Sequence, residues 1–144
     1  MVIITSSETS LPRLATGTTG DAAGTEWEAA LAHTLTQLRG VTESLVLSPS
    51  PWVIGLQQCA PTGRDPAGCV AIPGSGWQVQ QRAEEAAAAA AGAHYVDTHL
   101  WLCTASGLCP SFVGHTPVRW DSSHFTQQYA QRLSGEFHEL LRLG

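Results

Sequence analysis

Three short β-prone runs, each followed at a distance by a helix-like stretch, constrain the fold of this chain more than any other feature. Val2-Ile3-Ile4-Thr5 is apolar and β-branched, and Glu43-Ser44-Leu45-Val46-Leu47-Ser48 and Ala93-His94-Tyr95-Val96-Asp97 are the other two. Apolar runs of this length suit strands covered on both faces of a parallel sheet. Between them lie helical patterns. Thr25-Glu26-Trp27-Glu28 matches a capping box, and the helix it opens puts Trp27, Leu31, Leu35 and Leu38 on one face before Gly40 stops it near Arg39. Ser75-Gly76-Trp77-Gln78 is a second such box, opening a helix through the Ala86–Ala91 tract to Gly92. A third helix is predicted from His124 to about Leu143, with Tyr129, Leu133, Phe137, Leu140 and Leu141 on its inner stripe. Strand and helix alternate three times, which predicts an α/β fold with a parallel sheet, flanking helices and right-handed crossovers.

Loops fill the rest. Ser6 to Gly24 has no periodicity, and Pro49 and Pro51 should end the second strand. At 144 residues the chain is one domain at most, with neither an internal repeat nor a linker. Because the sequence starts inside a strand, one or two further strands are expected upstream, which makes residues 1–144 a single partial domain.

Charge excludes some partners. The net charge is -5, and all seven basic residues are scattered arginines, so nothing suggests a nucleic-acid or anionic-membrane surface. Only 13% of residues are charged, leaving a Ser-, Thr-, Gln-, Gly- and Ala-rich composition that suits an extracytoplasmic bacterial protein. The sequence shows no signal peptide, and its longest small-residue run, Ala86–Ala91, falls far short of the roughly 20 apolar residues a spanning helix needs.

The four cysteines form two local pairs in Pro- and Gly-rich loops, Cys59 with Cys69 and Cys103 with Cys109. An even count in local pairs reads as two disulfides formed in an oxidising compartment. Metal binding with His115 or His124 is the rival, but neither spacing matches the C-x2-C knuckles of structural zinc sites, and unpaired thiols are the remaining alternative.

Ligands of open parallel sheets bind beyond the carboxyl ends of the strands, where the loop Thr98–Ser123 belongs. There Asp121 and His124 stand three residues apart in Trp120-Asp121-Ser122-Ser123-His124-Phe125-Thr126. A carboxylate that holds one imidazole nitrogen leaves the other free to take a proton from a hydroxyl. The bland alternative makes Asp121 a helix cap and His124 a solvated residue. No Gly-Asp-Ser and no Gly-x-Ser-x-Gly occurs in the sequence to supply a nucleophile turn.

Tyr95-Val96-Asp97, then Trp101-Leu102-Cys103, Cys109-Pro110, Gly114 and Trp120 to Thr126 with Tyr129-Ala130 and Leu133, follow one ordered pattern. That pattern resembles the C-terminal part of the SGNH (GDSL-like) hydrolase domain fused to bacterial membrane O-acyltransferases of the acyltransferase-3 type. The match is good over residues 93–135 and extends loosely back through Leu45 to Cys69. The resemblance implies a flavodoxin-like three-layer fold, here as the C-terminal half, and a serine acyl-ester hydrolase or O-acyltransferase acting on cell-envelope glycans at the extracytoplasmic face of the membrane. It implies His124 as the general base and Asp121 as its orienter, an acyl donor and a glycan acceptor as partners, a membrane acyltransferase domain encoded upstream, and no metal or organic cofactor. Nucleophile and oxyanion residues find no match, so the chain alone is expected to be inert.

Ser6 and Ser7, at the end of the first strand, are the candidate substitutes for the nucleophile, although no Gly frees a tight turn there. Ser122 and Ser123 are read as helix caps, and Thr126 as a cap or packing residue. His115 and Trp120 are candidate substrate contacts, Trp120 by stacking on a sugar ring. Asp97 is expected to brace the following loop through backbone amides. The contrasting reading is a secreted, disulfide-stapled binding or structural domain without catalysis. It predicts Asp121 on helix-start amides with His124 turned to solvent, whereas the catalytic reading puts the carboxylate on one ring nitrogen of His124 and the other nitrogen facing an open cleft.

Overall fold

The computed structural model describes residues 1–60 and 68–142. In chain order the elements are β1 (Val2–Ser7), α1 (Gly20–Leu38), β2 (Ser44–Ser50), α2 (Leu56–Cys59), β3 (Val70–Ala71), α3 (Ser75–Ala91), β4 (His94–Val96), β5 (Cys109–Pro110), β6 (Phe112–Val113), β7 (Thr116–Pro117) and α4 (Gln127–Arg142). They form two compact units, one of Met1–Ser50 with Gly74–His99, the other of Pro51–Pro73 with Leu100–Gly144.

The first unit is the predicted parallel sheet, in the order β1-β2-β4, flanked by helices. Leu31 and Leu35 of α1 and Ala87, Ala88 and Ala91 of α3 meet Val46 of β2, with Ile4 and Tyr95 packed alongside. Within the Ala tract, Ala87, Ala88 and Ala91 lie on the buried face of α3, where small side chains let helix and sheet approach closely, while Ala89 and Ala90 are exposed. Gly24 does the same between α1 and α3, since a Cβ there would lie 2.6 Å from Val79 Cγ1. Gly40 and Gly92 end the two helices at φ 86° and 68°, conformations that Gly adopts without a Cβ penalty.

Several boundaries depart from the sequence reading. β1 runs on to Ser7, and α1 starts at Gly20 with Thr19 as its N-cap. Thr25 is thus already helical; its hydroxyl donates to Asp21 O at 3.2 Å, the usual fate of a mid-helix threonine. Ser75 is likewise the first residue of α3 rather than its cap, which is Gly74. β2 continues through Pro49 to Ser50, because the pairing steps from Thr5–Leu47 to Ser7–Ser50 and leaves an extra residue on β2. A bulge is where a strand tolerates the missing proline N–H. Pro49 O accepts Trp77 Nε1–H at 2.7 Å.

A buried polar cluster lies beside this sheet. Glu84, 1% exposed, accepts from the Ser6 hydroxyl, Trp27 Nε1 and Gln80 Nε2 on one carboxylate oxygen. Burial pushes its carboxyl above the ordinary range, with those donors opposing the shift.

The second unit packs α4 over short two-stranded pieces. β3 pairs antiparallel with β5, and β6 with β7. Val53, Ala71, Leu102, Cys103, Cys109, Val118, Tyr129 and Leu133 form its core. Two disulfides, Cys59–Cys69 and Cys103–Cys109, brace it. The inner stripe of α4 is buried at Tyr129 and Leu133 and half-buried at Phe137 and Leu140, but Leu141 is exposed at the helix end. The helix starts at Gln127, not His124, and Leu143 lies outside the described residues.

Candidate functional site

Asp121 and His124 project from a loop of the second unit that joins β7 to α4. Both ends of the loop are fixed. Thr126 Oγ1 donates to Pro117 O at 2.5 Å and accepts Tyr129 N–H at 3.2 Å, while Thr126 N–H reaches Val118 O at 3.1 Å. Thr126 is thus both the cap of α4 and a tie to β7. Tyr129 donates its hydroxyl to Trp101 O, and Val118 beneath the loop is fully buried. An isolated antiparallel bridge pairs Arg119 with Phe125, and Trp120 N–H closes the loop onto His124 O at 2.8 Å.

The Asp121 carboxylate does two things at once. Oδ1 accepts the amides of Ser123 at 2.8 Å and His124 at 2.7 Å, and the Ser123 hydroxyl at 3.2 Å. Oδ2 meets His124 Nδ1 at 2.8 Å, with Oδ1 a further 3.1 Å contact. The two amides belong to the loop and not to the first turn of α4, so the carboxylate folds its own loop and holds the ring. Ser122 and Ser123 correspondingly belong to this turn and do not cap the helix. Chiefly the Ser123 amide, then the His124 ring and amide, hold the Asp121 carboxyl well below the usual carboxylate range.

With the carboxylate on Nδ1, the tautomer that donates there leaves Nε2 as the basic nitrogen. The His124 side chain is 78% exposed, and among the described residues no hydrogen bond engages Nε2. Such a ring can accept a proton from a hydroxyl presented to it and return it to a leaving group.

The other candidates fall elsewhere. Ser6 Oγ donates to Glu84 and accepts Gln80 Nε2–H at 2.7 Å, and the exposed Ser7 pairs with Thr9 at 3.0 Å. His115 is exposed on the β6–β7 turn, which bends at Gly114 with φ 61°. Trp120 is 51% exposed next to Asp121, whereas Trp101 is half-buried against Phe137 at a ring separation of 5.1 Å. Asp97 braces its loop as expected, accepting the His99 amide at 2.8 Å. All four cysteines are in disulfides, so none is available as a metal-binding thiolate.

Two supports of the loop carry no local sequence signal. Gly55, which precedes α2, comes so near that a Cβ would lie 2.4 Å from Asp121 C and O. From there Leu56 N–H donates to Arg119 O at 2.9 Å and Gln57 N–H to Trp120 O at 3.0 Å. The buried Arg119 is the other support, reaching the main-chain carbonyls of Pro51, Ser122 and Ser123.

A parallel three-stranded sheet flanked by helices defines the class, an α/β fold. The family whose description reads SGNH domain (fused to AT3 domains) matches residues 2–139, and the chain belongs to that family. No curated protein and no solved structure matches it. The family supports a hydrolase- or acyltransferase-like domain with an acyltransferase partner domain, and fusion to AT3 domains points to association with a membrane. Among the described residues, no helix is long and apolar enough to cross one.

Proposed function

We propose that this chain serves as the base-bearing part of an SGNH-type serine acyl-ester hydrolase or O-acyltransferase that acts on cell-envelope glycans. The observation that carries the reading is the 2.8 Å contact between Asp121 Oδ2 and His124 Nδ1 on an imidazole otherwise open to solvent. A serine hydroxyl would attack the acyl carbonyl as His124 Nε2 takes its proton. The imidazolium, stabilised by Asp121, would then protonate the departing group. The acyl-enzyme would pass its acyl group to water or to a sugar hydroxyl by the reverse proton path. Trp120 offers an exposed ring on which a sugar could stack, and His115 a second polar contact. The extracytoplasmic face suits such an acceptor and agrees with the two disulfides.

The nucleophile is unassigned. With no Gly-Asp-Ser among the 144 residues, we place the serine on a segment encoded upstream, so that these residues form the C-terminal half of a larger domain and are inert toward esters alone. Ser6 and Ser7 are the alternatives, and Ser6 is already committed to Glu84 and Gln80. The test is the O-acyl ester content of envelope glycans in native cells carrying His124→Ala. The reading expects that content to change at an unchanged protein level; unchanged content would overturn it.

A further inference from the structure

We propose that Arg119 is a positioning residue for the Asp121–His124 pair, its buried guanidinium fixing the loop from which both side chains project. The inference rests on the reading above that this pair is a base and its orienter. Arg119 is 5% exposed. Its Nη1 donates to Ser122 O and Ser123 O, both at 3.2 Å, and Nη2 donates to Pro51 O at 3.2 Å. The same group lies 4.9 Å from the centre of the Phe125 ring, and the main chains of residues 119 and 125 pair across the loop.

These contacts bear on the pair in a specific way. Ser122 and Ser123 are the two residues between Asp121 and His124, and their carbonyls turn inward to the guanidinium. The amides of Ser123 and His124 point the other way, onto Asp121 Oδ1. Holding the carbonyls thus orients the amides that bind the carboxylate, and so sets the angle at which Oδ2 meets Nδ1. A planar guanidinium can do this because its fork reaches separate acceptors while its face lies on an aromatic ring; an ammonium cannot match both. The contact with Pro51 O ties the loop to the segment leading to Gly55, which supports Asp121 from below.

The test uses the 144-residue chain and needs no substrate. Arg119→Lys keeps the charge and loses the fork. In this variant the Asp121 carboxyl, followed by carbon-13 NMR, is expected to titrate at higher pH than in the wild type. Exchange of the Ser123 and His124 amides should quicken on the order of tenfold, while α1 and α3 amides keep their protection. A purely packing role for Arg119 would not move the Asp121 titration selectively. Should Arg119→Lys fail to fold, the wild-type chain still decides. Resolved, slowly exchanging Arg119 Nη protons with contacts to the Phe125 ring are expected, and averaged, fast-exchanging ones would overturn the assignment. An Arg119→Lys chain that folds with Asp121 titration and both amide exchange rates unchanged would also overturn it. The glycan-ester test is separate: it can fail for the function while these NMR results stand.

Discussion

Gly55 and Asp121 are in backbone contact: the space a Cβ would fill at residue 55 is occupied by the Asp121 carbonyl, 2.4 Å away. The constraint is steric and not conformational, because Gly55 has φ -73° and ψ 161°, which any residue adopts. Backbone atoms cannot swing aside as a side-chain tip can. Gly55→Ala should therefore displace the Asp121 loop or the start of α2 and destabilise the chain by about 1–3 kcal/mol. Urea unfolding would read the loss, and exchange at the Ser123 and His124 amides would place it. A variant as stable as the wild type with unchanged exchange contradicts the contact.

Glu84 predicts how stability depends on pH. Its Oε1 takes three donors, while Oε2 is buried with no hydrogen-bond partner among the described residues. Tyr95 on β4 is electrostatically linked to Glu84, and also to Asp97 and Glu85. Desolvation raises the folded pKa above the reference value of 4.5, so the folded state binds more protons between the two values. Stability should fall as pH rises from 4.5 through the raised folded value, then level off. Glu84→Gln, a neutral isostere, should flatten this slope and be the more stable protein above it. Urea midpoints across the acidic-to-neutral range check both. Identical slopes in the two proteins would refute the assignment.

The disulfides should separate in their effects. Both close short loops, so removing either should cost about 2–3 kcal/mol. Only Cys59–Cys69 anchors the end of α2, whose amides hold Arg119 O and Trp120 O. Replacing Cys59 and Cys69 with Ala should therefore speed exchange at Leu56 and Gln57 more than replacing Cys103 and Cys109 does. Hydrogen exchange of the two double variants decides, and equal effects would remove α2 from the support of the loop.

Trp120 predicts a change in binding without one in folding. Its ring is 51% exposed, so Trp120→Ala should leave the unfolding free energy within about 0.5 kcal/mol of the wild type. Under the proposed function it should raise KM for a glycan acceptor with little effect on acyl release to water. An unchanged acceptor KM would show that the ring stacks on no sugar.

The fold was legible where the signal is local and repeated. Apolar runs marked β1, β2 and β4, and Gly40 and Gly92 marked the helix ends. Helix starts are poorly marked because capping boxes are short: Thr25 finds the Asp21 carbonyl, and Gly74 precedes Ser75 as the cap. Pro49 gives no sign that the strand continues, because a bulge depends on the partner strand, which the proline does not announce. His124 stays outside α4 because the Asp121 side chain competes for its amide and Thr126 takes the capping role. In the site, the D-x-x-H pattern pointed to Asp121 and His124. Arg119 and Gly55 left no trace because their partners are distant main-chain atoms, and no spacing encodes those.

The most direct test of the central claim is acyl-ester turnover by the protein as isolated from its native cell, measured with a small aryl acetate. The account predicts that His124→Ala lowers kcat/KM by about 10³-fold or more, with a smaller loss in Asp121→Asn. It predicts, too, that the 144-residue chain alone shows no turnover sensitive to either change. A His124→Ala protein that retains wild-type turnover would contradict the account, leaving the Asp121–His124 contact as a device that only folds a loop.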